Sequence, residues 1–144
     1  MKFSKKSEYA LRALLELASH EDRPWLQRYE IAERQNIPLD FLEQILLTLK
    51  NAGILSSRRG VNGGYSLIRS PQEITIGQII RLLDGPLAPI GCCSKTAYQK
   101  CQDCPYAGHA RCPVQHVMGT VRDAIAGILD HTTLSDFAAS LRKG

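Results

Sequence analysis

Two helical patterns meet at Asn36-Ile37-Pro38 and are followed at once by a glycine-tipped hairpin, and this order restricts the fold more than any other feature of the chain. Proline disfavours helical geometry at the residue before it and suits the first turn of the helix after it, so the segment reads as a turn between helices. A short helix fits residues 27–35 before the turn. After it, Leu42, Ile45, Leu46 and Leu49 recur at the i, i+3, i+4, i+7 spacing of a buried stripe. Gly53 is placed to end this second helix, and residues 54–58 and 65–69 read as short strands around Arg59-Gly60-Val61-Asn62-Gly63-Gly64. Helix, short turn, helix and hairpin in this order predict a winged helix-turn-helix, whose second helix enters the major groove of DNA.

The flanking segments are also helical. Ser4 is a cap for a first helix with Ala10, Leu11, Leu14, Leu15, Leu17 and Ala18 on its apolar face. A fourth helix is expected over about residues 75–84, burying Ile76, Ile79, Ile80 and Leu83 and stopped by Gly85-Pro86. A long helix from Pro113 to about Leu129 presents Val114, Val117, Met118, Val121, Ile125, Ile128 and Leu129 on one side, and Thr133 with Asp136 caps a last short helix ending near Leu141. The expected fold is mainly α with a small β-hairpin. Residues 1–85 form the winged module, 86–112 a cysteine-rich loop, and 113–144 a dimerisation helix and C-terminal helix. A chain of 144 residues excludes two large independent domains. No apolar run approaches the roughly 20 residues of a spanning helix, and the first dozen residues lack a signal-peptide core, so a cytoplasmic protein without a membrane partner is expected.

Charge marks one face for nucleic acid. Between Lys50 and Arg69 lie Lys50, Arg58, Arg59 and Arg69 with no acidic residue, within a net charge of +4. Beside the buried stripe, Asp40, Glu43, Gln44 and Thr48 point outward near the start of the recognition helix; Glu43 suits a cytosine amino group and Gln44 an adenine. On the hairpin, Arg58, Arg59, Gly60, Asn62, Gly63 and Gly64 suit a wing, because glycine admits backbone to the sugar-phosphate edge while arginine binds phosphate or a narrow minor groove. A solvated basic face and a plain hairpin turn are the bland alternatives.

Five cysteines, Cys92, Cys93, Cys101, Cys104 and Cys112, fall within 21 residues. An odd, tightly clustered set in a reducing compartment favours a metal or redox site over structural disulfides. Cys101-Gln-Asp-Cys104 can offer two sulfurs to one ion or cluster, with Cys92 or Cys93 and Cys112 closing the site. Cys112 also precedes a helix, where the dipole favours negative charge. A Cys-x-x-Cys oxidoreductase is the competing enzyme reading, but the motif lies in a long loop and not after a strand of a βαβ unit, so no enzyme is expected. A zinc-stabilised adaptor leaves the basic wing unexplained.

These segments together resemble the Rrf-two family of winged-helix transcription regulators over essentially the whole chain. The resemblance rests on "SEYALRALLELA", "IAERQNIPLDFLEQILLTLKNAGIL", "SSRRGVNGGYSL", "ITIGQIIRLLDGPL", the cysteine loop and "ILDHTTLSDF". It implies a homodimer crossed through the long helix, bound to a palindromic operator in double-stranded DNA and sensing cluster status, nitric oxide, iron or cysteine supply. By motif, Asp40, Glu43 and Gln44 fall at major-groove positions, and Arg59 with Gly60 to Gly64 on the wing. Cluster-bearing relatives imply three ligand cysteines, here Cys93, Cys104 and Cys112, with Cys92 and Cys101 as alternates. In some relatives a histidine three residues after the last cysteine ligates; Gln115 holds that offset here and His116 follows it, while His109 lies in the loop. In others an acidic residue of the partner subunit's first helix ligates, which points to Glu8. The implied cofactor is an iron-sulfur cluster, [2Fe–2S] or [4Fe–4S], with zinc or a metal-free thiol sensor as alternatives.

Overall fold

Ser4, in extended backbone, accepts the Ser7 amide at 3.1 Å and starts α1 (Lys5–Ala18). The computed structural model describes residues 2–20, 22–106 and 112–143. The Ser4 amide also donates to Asp84 at 3.0 Å, and its hydroxyl contacts the same carboxylate, which ties the start of α1 to the last residue of α4 (Ile76–Asp84).

The turn anticipated at Asn36-Ile37-Pro38 joins α2 (Arg28–Gln35) to α3 (Leu39–Asn51). Asn36 adopts the left-handed region at φ 52°, which its short polar side chain tolerates, and the Ile37 amide closes onto Ala32 O at 2.9 Å. Pro38 then stands at the cap of α3. Leu42, Ile45, Leu46 and Leu49 are all buried, so the periodic stripe faces the core and leaves the opposite face of α3 in solvent.

β1 (Leu55–Arg58) pairs antiparallel with β2 (Gly64–Leu67), Leu55 opposite Leu67 and Arg58 opposite Gly64. The second strand is shorter than expected; beyond it the Ile68 amide makes a single bond to Ile54 O at 3.0 Å. The hairpin is also anchored laterally. Leu26 and Tyr65 exchange both backbone hydrogen bonds, at 3.0 and 2.8 Å, and any Cβ on Gly64 would run into the Leu26 carbonyl. Only glycine permits that approach.

Thr75 caps α4, in which Ile76, Ile79 and Ile80 are buried and Leu83 only partly so. α6 (Leu134–Arg142) starts from a capping box between Thr133 and Asp136 and returns to the N-terminal module: the Leu134 amide bonds Ile74 O at 2.8 Å, and Leu134 and Ala138 join the core that holds Ala10, Ala13 and Leu14 of α1. The helix between them behaves differently. α5 (Pro113–Leu129) buries no residue; Ile125, Ala126 and Leu129 touch the core, while Val114, Val117, Val121 and Ile128 are 39% to 67% exposed. Burying such a side chain from full exposure is worth about 1.5–3 kcal/mol, and these four leave roughly half of that unrealised. Among the described residues no helix is long and apolar enough to cross a membrane.

Candidate nucleic-acid interface and cysteine loop

On the outer face of α3, Asp40, Glu43 and Gln44 are exposed, and Thr48 is half-buried with its hydroxyl donating to Gln44 O at 2.9 Å. Glu43 is held from across the turn: Arg28 Nε, at the first position of α2, lies 3.1 Å from its Oε1. The Arg28 guanidinium also stacks over the Tyr29 ring, 4.9 Å from its centroid, and donates to the Tyr29 hydroxyl at 3.1 Å. That hydrogen bond first, then the fields of the phenol and of Glu43, raise the guanidinium pKa above its ordinary value against desolvation. Sequence periodicity singled out neither Arg28 nor Tyr29, because their partnership with α3 depends on how two helices cross.

The wing separates its two arginines. Arg58 donates to Asn62 O at 2.5 Å, and Gln27 Nε2 lies 3.0, 3.1 and 3.3 Å from the carbonyls of Gly60, Gly63 and Val61. Gly63 is buried under the Arg58 and Arg59 carbonyls, whereas Gly60 and Asn62 are exposed at the tip. Arg59 is exposed and forms no ion pair among the described residues. Arg28, Tyr29, Arg58 and Arg59 line one groove between the start of α2 and the wing, a continuous cationic surface beside the outer face of α3.

All five thiols are free. Cys93 is buried in a one-turn 3-10 helix (Gly91–Cys93) and donates its S–H to Ile90 O at 3.2 Å, with Met118 O at 3.8 Å. Cys92 is half-buried; desolvation first, then the fields of Cys101 and Cys93 and more weakly of Cys112, push its thiol pKa up. Cys101 is exposed, and the half-buried Cys104 donates to Tyr106 O at 3.6 Å. Cys112 is the N-cap of α5, its sulfur accepting the Gln115 amide at 3.5 Å.

Two side chains of α5 fasten this loop. Gln115 Nε2 donates to Cys92 O at 2.7 Å, and the Arg122 guanidinium bonds Cys93 O. These two, with His116, line an open cavity of about 390 Å³ beside Cys92 and Cys93. His116 is exposed on α5, and His109 lies outside the described residues. Glu8 is half-exposed and paired with Lys5 at 3.1 Å and Arg12 at 3.4 Å. Among the described residues no group of three or more His, Cys, Asp or Glu side chains is gathered around a metal position.

A family model described as an iron-dependent transcriptional regulator, Rrf2, matches residues 3–140. The chain belongs to the Rrf2 family. An rrf2-like HTH-type transcriptional regulator of Rhodobacter capsulatus is 42% identical over 140 residues, spanning 95% of this chain and 92% of the relative. Among solved structures, CymR, the global cysteine regulator of Bacillus subtilis, superposes with a TM-score of 0.79 at 34% identity, covering 97% of this chain and 98% of CymR. IscR of T. potens gives 0.75 at 30% identity, covering 98% and 88%. The protein is therefore a winged-helix, DNA-binding transcription regulator and not an enzyme.

Proposed function

We propose that this regulator binds a palindromic duplex operator as a homodimer joined through α5, and that the state of the loop thiols sets its operator affinity. The uncovered apolar stripe of α5 carries the reading, because the same helix starts at Cys112 and holds the Cys92-Cys93 turn through Gln115 and Arg122. One helix-turn-helix reads a half-site, so two-fold symmetry doubles the site and places the recognition helices about one DNA turn apart. Asp40, Glu43, Gln44 and Thr48 face the bases, Arg59 takes phosphate, and Arg58, Gly60, Asn62, Gly63 and Gly64 shape the wing. A rearrangement of the loop moves α5, and with it the spacing of the two α3 helices.

The donor set suits an iron-sulfur cluster: five soft sulfur donors in one loop, the last of them, Cys112, at the N-terminus of α5. Cys93, Cys104 and Cys112 would hold it, with Cys92 and Cys101 as alternates and Glu8 of the partner subunit as a fourth ligand. When bound, such a cluster supplies an oxidant- and nitric-oxide-reactive centre. For this, Cys93 must release Ile90 O and Glu8 must leave Lys5 and Arg12. A metal-free thiol sensor is the second reading, favoured by five free thiols in one loop and by the likeness to a cysteine regulator.

Protein purified without oxygen tests both. Visible charge-transfer bands with iron and sulfide in the preparation support the cluster; a colourless, metal-free protein whose operator affinity responds to thiol oxidants supports the second reading, and stoichiometric zinc contradicts both. Coupling of ordinary size changes operator affinity roughly 5- to 150-fold between the two loop states. Equal affinity in both states removes the sensing role.

A further inference from the structure

Glu43 presents a carboxylate to the DNA-facing side of the molecule, where phosphates repel it and docking strips its water. The structure meets this cost with one neighbour. Arg28 Nε, 3.1 Å from Glu43 Oε1 in an ion pair without hydrogen-bond geometry, is screened from solvent although both side chains are otherwise more than two-fifths exposed. Tyr29 also contacts the guanidinium, through ring stacking at 4.9 Å and a hydroxyl that accepts its N–H at 3.1 Å. One carboxylate oxygen thus lies against the guanidinium charge, and Oε2 is left to accept a hydrogen bond.

We propose that Arg28 is a positioning residue for base readout, orienting and neutralising Glu43 so that its remaining oxygen selects a base bearing an exocyclic amino group. The proposal rests on the DNA-reading role of α3. A carboxylate only accepts hydrogen bonds, and in the major groove the matching donors are cytosine N4 and adenine N6, whereas guanine O6 and thymine O4 repel it. Arg28 touches no base in this scheme. Its effect passes through Glu43.

The experiment is selection from a randomised duplex library by the full-length wild type, Arg28→Ala, Arg28→Lys, Glu43→Ala and the double variant, followed by affinity measurement on the selected site and its single-base changes. Arg28→Ala is expected to lower the preference for the amino-bearing base at one symmetric pair of positions by roughly tenfold, the size of one lost direct contact, and to leave other positions unchanged. Glu43→Ala should flatten the same position, and the double variant should lose nothing further. Arg28→Lys should recover part of the preference, because it restores charge without the planar fork. If Arg28→Ala melts early, Arg28→Gln takes its place, losing the preference that Arg28→Lys keeps. A loss uniform over all sequences makes Arg28 a phosphate contact and overturns the proposal, as does a loss fully additive with Glu43→Ala. A wild type that selects no consensus overturns the DNA-reading role itself, and that result is visible before any variant is compared.

Discussion

The Arg58 guanidinium lies over the Trp25 indole, 4.5 Å from the ring centroid. Together with its bond to Asn62 O, this ties Arg58 to the wing, whereas Arg59, equally exposed, forms no ion pair among the described residues. Arg59→Ala is therefore expected to weaken binding at every sequence and to reduce the slope of log affinity against log salt by about 0.9 per subunit, about 1.8 for a dimer that loses one phosphate contact from each. Trp25→Ala should lower affinity by loosening the wing while keeping the wild-type slope. Binding titrations at several salt concentrations separate the two, and an unchanged slope for Arg59→Ala removes it from the phosphate contacts.

Gln27 lies within hydrogen-bond distance of three carbonyls of the wing tip, so one side chain holds the turn together. Gln27→Ala should cost about 1 kcal/mol of stability and speed amide hydrogen exchange at residues 60–63 without reaching α3. Gly64→Ala should cost more, about 1–3 kcal/mol, because its Cβ meets the Leu26 carbonyl. Exchange and urea unfolding measure both. Equal protection of the wing in wild type and Gln27→Ala would refute the tether.

The outer face of α5 offers a direct test of assembly. Val117→Glu with Ile128→Glu places charges in an apolar stripe left exposed among the described residues, and should convert a dimer into a monomer at micromolar concentration with helix content unchanged. Sedimentation velocity reads the mass. An unaltered dimer would move the interface off α5.

Acid should loosen the join between α4 and α5. Arg81 forms a two-point pair with Asp130, 2.9 Å at its longer contact, and this hydrogen bonding, with the field of Arg81 and more weakly of His131, lowers the Asp130 pKa against desolvation. A carboxyl whose folded pKa is lowered adds stability above its unfolded value, near 3.9, and loses it as pH falls through the folded value. Both side chains are more than one-third exposed, so the contribution at neutral pH is at most about 1 kcal/mol. Asp130→Asn should be the less stable form at pH 7 and match wild type near pH 2. Urea unfolding across that range checks it, and a difference independent of pH would exclude the ion pair as its source.

Much of the architecture was legible in the sequence because it is written in short-range interactions. Ser4, Thr75 and Thr133 cap helices through amides three residues on, and the Leu42, Ile45, Leu46, Leu49 stripe follows from helical geometry alone. Asn36-Ile37-Pro38 makes its turn from local backbone preference. The tertiary structure decided which of these surfaces meet. It set Arg28 against Glu43, Trp25 under Arg58 and Gln27 beneath the wing tip, and it brought α6 back into the core while leaving the outer face of α5 bare. The cysteines show the same division: spacing announced a thiol site, yet burial of Cys93 and the hold of Gln115 and Arg122 on the carbonyls of Cys92 and Cys93 depend on where the loop returns to α5. Periodicity and capping act over a few residues, whereas these contacts join segments far apart in the chain, and only the packing of helices sets the distances between them.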